Sequence, residues 1–347
     1  MLFIFLSIFI IIIAITIIIL LFSLFKKQNK QNYEIFTFNQ YFQKLLHRPI
    51  DIIHYNFYKK KMFSQKEHDI LKYSEKVTSG LEILKTKTII VCGLIYNAEK
   101  QISFLKNWIS DLEKICNSVH TVIVENNSVD RTRELLSEWK ETSNSNISLV
   151  CSESNLCNQF DYSKIESMIH KSPSSIRIEK MSYLRNCYMK YIFENNLQAD
   201  YVFLMDFDLN GILFWDGIFH SIHEMEQNQN IEVMTCNGIL QDTLNYYDTF
   251  AYAKTKNELD WNTNFDKQNH DQDVIKNVSK KYQENLKLDK VKSAFGGFAI
   301  YKFASFNGKQ YDFNPKGYSC EHCIFHKNFN NIMVNPRMIF LIKENLT

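Results

Sequence analysis

From residue 86 onward, apolar runs alternate with amphipathic stretches. Thr88–Leu94 reads as a buried strand and Glu99–Ile115 as a helix with Ile102, Leu105, Trp108, Ile109 and Leu112 on one face. Val119–Val124 is a second strand and Asp130–Lys140 a second helix. Met181–Phe193 is a third helix, and Tyr201–Met205 another buried strand. Strand and helix in alternation predict an α/β domain with a mixed, mostly parallel sheet flanked by helices. Ligands of such sheets sit at the carboxyl ends of the strands, so the residues that follow the strands are the ones to examine.

Upstream the pattern differs. Leu2–Phe25 is almost uninterrupted Leu, Ile and Phe, long enough for one transmembrane helix. Residues 26–85 carry Tyr33, Phe36, Tyr41 and Leu45, as a juxtamembrane or stem region with short helices. The expected organisation is therefore an anchor at 1–25, a stem at 26–85 and the α/β domain at 86–347. Lys26, Lys27 and Lys30 follow the apolar segment, so the charge bias predicts a cytoplasmic domain. A glycosylation sequon at Asn126-Asn127-Ser128, inside the candidate donor site, points the same way. Sequons at Asn146, Asn277 and Asn345 leave the lumenal side open.

Forty basic against 38 acidic residues give a net charge of +2, without the basic excess of a nucleic-acid binder. Several of the eight cysteines lie in apolar runs, where a buried free thiol is the expected state.

Asp206-Phe207-Asp208 directly follows the strand Tyr201–Met205. In an extended chain both carboxylates leave the strand end on one side while Phe207 turns back to the core. Such a pair suits Mn²⁺ or Mg²⁺, with open positions for phosphate oxygens. Asp271-Gln272-Asp273 has the same spacing but lies in a polar stretch, where a solvated face is the default. Glu125–Thr132 is a polar loop after a strand; Asp130 or Ser128 can cap the next helix, while Glu125, Asn126 and Asp130 are candidates for binding a nucleoside. Arg177, Lys180, Arg185 and Asn186 precede the Asp206 strand, and an Arg there can take a diphosphate bidentately.

In this order, these pieces resemble the nucleotide-binding half of GT-A-fold (Rossmann-like) glycosyltransferases. Tyr246-Tyr247-Asp248, Ala294–Phe298, Cys320-Glu321-His322 and Asn335-Pro336 are similar to the fungal capsule-associated mannosyltransferases and their bacterial and viral relatives. The resemblance covers about residues 86–342, and Glu125-Asn126 departs from the usual Asp-Asp or Asp-Asn start of the nucleobase loop. It implies transfer of a hexose, mannose by family, from a GDP- or UDP-sugar to a glycan hydroxyl. Glu321 and Asp248 become candidates for catalysis, and Tyr247, Asp248, Gly296, Gly297 and Glu321 for sugar and acceptor binding. His322 or His326 would join Asp206 and Asp208 on the metal. Three other readings compete. Cys320, His322, Cys323 and His326 have zinc-like spacing. A nucleotidylyltransferase would share the sheet, although Gly93–Ala98 lacks the Gly repeats and Arg of its loop. An inactive, membrane-tethered glycan-binding protein is the third.

Overall fold

The computed structural model describes residues 67–154, 156–157, 175–259, 266–313 and 319–343. The expected anchor at 1–25 and most of the stem lie outside them. Among the described residues no helix is long and apolar enough to cross a membrane.

Helix α1 (Glu67–Leu84) leads into β1 (Thr88–Ile95), α2 (Ile102–Ile115), β2 (Ser118–Glu125), α3 (Thr132–Thr142) and β3 (Asn146–Leu149). A short α4 (Val150–Glu153) and the long α5 (Ser175–Glu194) precede β4 (Tyr201–Met205), β5 (Gly211–Leu213), α6 (Trp215–Gln227) and β6 (Val233–Leu240). Then come α7 (Lys267–Glu284), β7 (Asp289–Val291), β8 (Phe298–Lys302), α8 (Phe303–Phe306), α9 (Glu321–His326) and β9 (Ile332–Ile342).

The sheet runs β3-β2-β1-β4-β8-β6-β9-β5, with β7 on β9. The mixed α/β sheet matches expectation, but its parallel share is smaller. The β1–β2, β1–β4, β2–β3 and β6–β9 pairings are parallel, whereas β4–β8, β6–β8, β5–β9 and β7–β9 are antiparallel. Every antiparallel pairing involves a strand downstream of Met205.

Alternate residues of each inner strand serve different faces. Ile90, Cys92, Leu94, Val202 and Leu204 join Leu184, Tyr188 and Phe325 in one core, beneath α5 and α9. On the other face Trp108 stacks on Trp215 at 5.3 Å and meets Phe298 edge-on, beneath α2 and α6. Helix α1 packs there too. A Cβ on Gly80 would stand 1.8 Å from the Phe219 carbonyl oxygen, so the two helices cross backbone to backbone. The end of the expected stem thus belongs to the same unit as the sheet.

Cys151 and Cys157 form a disulfide, and the other six cysteines are buried and free. The expected free thiol holds for those six; in the bridged pair Cys151 lies in α4, the short helix that follows β3.

Candidate functional site

The ends of β1, β2 and β4 form one rim. Asp206 directly follows β4 and is held by backbone bonds: its N–H donates to the Gly297 carbonyl (3.1 Å), and the Phe207 N–H donates to the Leu94 carbonyl. Phe207 is buried, as the alternation requires. Burial raises the Asp206 carboxyl against the lowering pull of Arg185. Asp208 is raised to about 7 by its recessed setting and then by repulsion from Asp206. Its side chain is nonetheless open to water, which limits the contribution of burial.

Arg185, on α5, is 2% exposed. Its Nη2 donates to Asp206 Oδ1 at 3.2 Å and its Nε to Glu321 Oε1 at 3.1 Å. The guanidinium lies between the rings of Phe295 (5.5 Å) and Tyr311 (5.7 Å). Burial opposes its charge, but Tyr188, Asp206 and Glu321 together hold it protonated. Its third nitrogen, Nη1, is buried with no hydrogen-bond partner among the described residues.

Asp248 sits in the left-handed region (φ 64°). Burial, then Asp206 and Glu321, push its carboxyl well above the usual carboxylate range, while the Arg185 charge and then the Gly296 backbone N–H partly offset them. The same carboxylates act on Tyr247, whose hydroxyl is raised by burial, Asp206, Asp248 and Asp208. The structure therefore gathers Arg185, Asp206, Asp208, Tyr247, Asp248 and Glu321 into one site, although the sequence scatters them over more than a hundred residues.

Other candidates are engaged differently. Asn186 does not face outward: its amide accepts from the Tyr311 N–H (2.8 Å) and donates to the Tyr311 carbonyl (2.9 Å). It braces the strand-like segment that lays Tyr311 on Arg185. Glu125 is buried and accepts from the Ser128 N–H and from Arg133 Nε (2.9 Å), so it shapes its own loop. Asp130 accepts from the Glu99 and Thr132 N–H groups; burial raises its carboxyl, but hydrogen bonds from the Thr132 side chain and from these N–H groups together lower it. The helix N-cap is Arg131 and has no side-chain cap bond, so neither Asp130 nor Ser128 caps it as expected; Asp130 instead ties the loop after β2 to the loop after β1. Ser128, Asn97 and Thr132 add three further cross-loop bonds. Asn126 is buried at the end of β2. With β1 between them, the β2 and β4 ends stand about 10 Å apart.

Gly296 and Gly297 have φ of 68° and 91°. A Cβ on Gly296 would stand 2.7 Å from the Cys236 carbonyl oxygen, and one on Gly297 2.6 Å from Leu209 Cδ1. Glycine is needed there for the turn and the approach of the protein's own backbone, not only for an approaching sugar.

The histidines divide. His326 Nδ1 bonds the Ser293 hydroxyl and Nε2 the Tyr301 hydroxyl, each at 2.8 Å, so both its nitrogens are taken and its expected place on a metal is not met. His322 stacks on Phe295 at 4.0 Å, with Nε2 4.0 Å from Glu321 Oε1. Both its nitrogens are buried without a hydrogen-bond partner among the described residues, and burial followed by Arg185 keeps it neutral. Among the described residues no three His, Cys, Asp or Glu side chains are grouped to hold a metal ion, the Cys320–His326 stretch included. Asp271 of the decoy pair accepts from Thr249 and pairs with Lys267 on α7, as a helix surface does.

A family model described as cryptococcal mannosyltransferase 1 matches residues 88–328. The chain belongs to this family. The matched span contains every residue of the site just described. No curated protein matches the chain. Solved structures similar to it include S. aureus TarS 1-349 in complex with UDP. That likeness has 14% identity and a TM-score of 0.41, over 76% of this chain and 61% of that one. Another is the mannosyltransferase PcManGT from Pyrobaculum calidifontis in complex with GDP-Man and Mn²⁺. There identity is 12% and the TM-score 0.40, over 80% of this chain and 64% of that one. The chain spans about three fifths of the length of the TarS structures it matches.

Sequence reasoning did not find Tyr311. Nothing in Tyr311-Asp312-Phe313 marks it, and only folding brings it over Arg185.

Proposed function

We propose that this protein transfers a hexose, mannose by family, from a GDP- or UDP-sugar to a hydroxyl of a glycan acceptor, with Asp206 and Asp208 holding a divalent cation. One observation carries the reading. Arg185, fully buried, joins the carboxylate that ends β4 to the carboxylate that begins α9.

The two aspartates fit Mn²⁺ or Mg²⁺ as a hard, oxygen-only pair whose mutual repulsion a cation would relieve. His322 is a further donor of the right kind, with two buried, unpartnered ring nitrogens. Bound there, the cation would act as a Lewis acid on the leaving diphosphate. Arg185 Nη1, buried without a partner among the described residues, would donate to a phosphate oxygen, while Nη2 and Nε hold the guanidinium to Asp206 and Glu321. The loop Glu125–Asp130, held rigid by its own hydrogen bonds, borders the nucleoside, with Asn126 as its reading group.

Of the two catalytic candidates, Glu321 is engaged by Arg185, which suits it to orient groups. Asp248 is in no ion pair with a described residue, although the Arg185 charge reaches it, and its raised carboxyl suits proton transfer from the acceptor hydroxyl. That role belongs to an inverting transfer; a retaining one has no need of it, and the anomeric configuration of the product decides. The apolar segment Leu2–Phe25 would hold the enzyme at a membrane.

The test is transfer by the full-length protein across a panel of nucleotide sugars with Mn²⁺, Mg²⁺ or chelator. Metal-dependent turnover of one donor supports the reading. Equal turnover in chelator removes the metal from it, and no turnover with binding of glycan alone would favour a tethered lectin-like role.

A further inference from the structure

The face of the sheet opposite Arg185 carries a separate cavity of about 300 Å³ between α1, α6, the 286–288 segment and β9. Lys72, Lys76, Lys287 and Arg337 line it, against one carboxylate, Glu224. That carboxylate is already paired with Lys76. No ion pair joins Lys72 or Lys287 to another described residue, and none joins Arg337.

Arg337 is fixed in place. Its guanidinium carbon lies 4.4 Å from the Tyr73 ring centroid, and its backbone N–H donates to Asn335 Oδ1 at 3.0 Å. Tyr73 is itself held by donating to Asp216 Oδ2 at 2.9 Å. The Arg337 Nη1 atom is buried and has no hydrogen-bond partner among the described residues. A buried guanidinium N–H without an acceptor is costly, and here it stands in a cavity that also holds the ammonium groups of Lys72 and Lys287, neither in an ion pair with a described residue. His220, in the same wall, is pushed down to about 2 by burial, then by Arg337 and Lys76. It adds no charge, and its Nε2 faces Glu224 Oε1 at 3.4 Å.

We propose that this cavity is a second binding site, for a phosphate-bearing anion, with Arg337 as the fixed anchor and Lys72 and Lys287 as mobile arms. Arg337 gives planar, directional donors to phosphate oxygens, and lysines close on them as point charges. Leu286 and Leu288 in the wall leave room for an apolar part beside the phosphate. The ligand chemistry is common to a soluble phosphate ester and an anionic lipid headgroup. The inference does not depend on the transferase reading, because the cavity shares no residue with the Asp206 site.

The test uses full-length protein in nanodiscs of neutral phosphatidylcholine, with chelator present to silence metal-dependent diphosphate binding elsewhere. Inorganic pyrophosphate is titrated while thermal unfolding is followed. Saturable stabilisation is expected in the wild type and in Asp206→Asn/Asp208→Asn. It should weaken roughly tenfold per cation removed in Lys72→Gln/Lys287→Gln, whose surface changes leave the unliganded Tm in place. Arg337→Gln should abolish it. A second arm replaces part of the neutral lipid with phosphatidylglycerol. Stabilisation of the wild type over the double variant in that arm alone assigns the site to a headgroup, and in the pyrophosphate arm alone to a soluble phosphate. Equal responses of wild type and double variant in both arms overturn the proposal. So does loss of the pyrophosphate response in Asp206→Asn/Asp208→Asn.

Discussion

Arg185 Nη2 meets Asp206 Oδ1 at 3.2 Å inside a wall that leaves the arginine 2% exposed. An arginine so placed cannot be exchanged for lysine without loss, because the Nε bond to Glu321 and the ring contacts with Phe295 and Tyr311 need a planar fork. Arg185→Lys should fold and lower turnover by about a hundredfold, the usual effect of one lost charge-stabilising donor. Arg185→Met leaves Asp206 and Glu321 uncompensated and should cost about 3–5 kcal/mol of stability. Steady-state kinetics and denaturant unfolding separate the two variants.

Asp206→Ala and Asp208→Ala should each remove metal-dependent binding of the donor. Calorimetry with and without Mn²⁺ checks this, and turnover should fall by about a thousandfold. Activity that survives both substitutions would sink the metal site.

Gly296→Ala should destabilise by about 2 kcal/mol or more. It combines the left-handed backbone penalty of about 1–2 kcal/mol with a Cβ forced against a carbonyl oxygen. A Tm lowered by several degrees is the expected reading; an unchanged Tm would show that the turn relaxes freely.

Asp289 links distant parts of the domain: its carboxylate accepts from Lys254 Nζ and pairs with Lys281 Nζ, both at 2.7 Å, and accepts from Tyr282. Burial pushes the carboxyl up, but the two lysines outweigh it and hold it below its usual value. A depressed carboxyl stabilises the fold above the unfolded pKa of about 3.9 and loses that contribution as pH falls through the folded value. Asp289→Asn should therefore be less stable than wild type at neutral pH, by about 1–3 kcal/mol. The gap should close as pH drops below about 4. Urea unfolding across that range follows it.

The first half of the fold was legible because its strands are long and its helices amphipathic. Thr88–Leu94 was expected and Thr88–Ile95 is observed; Tyr201–Met205 coincides. The second half was not, because β5 and β7 have three residues each and draw their stability from β9 rather than from their own pattern. In the site, Asp206, Asp208 and Arg185 were visible by their places after strands and on helices. What hid was pairing. Asn186 reads as a polar helix residue free to bind a ligand, yet both ends of its amide are spent on Tyr311, 125 residues away. His326 likewise carries a metal-like spacing, which two buried hydroxyls from other strands and loops annul.

The Cys151–Cys157 bridge gives the chain a chemical memory of its surroundings. A disulfide persists where the redox poise is oxidising and opens where glutathione keeps thiols reduced. The charges after the apolar segment lead to the expectation of a domain on the reducing side of a membrane, whereas the bridge favours an oxidising compartment. Alkylating the protein as it is drawn from its native membrane would count two extra thiols in the first case and none in the second.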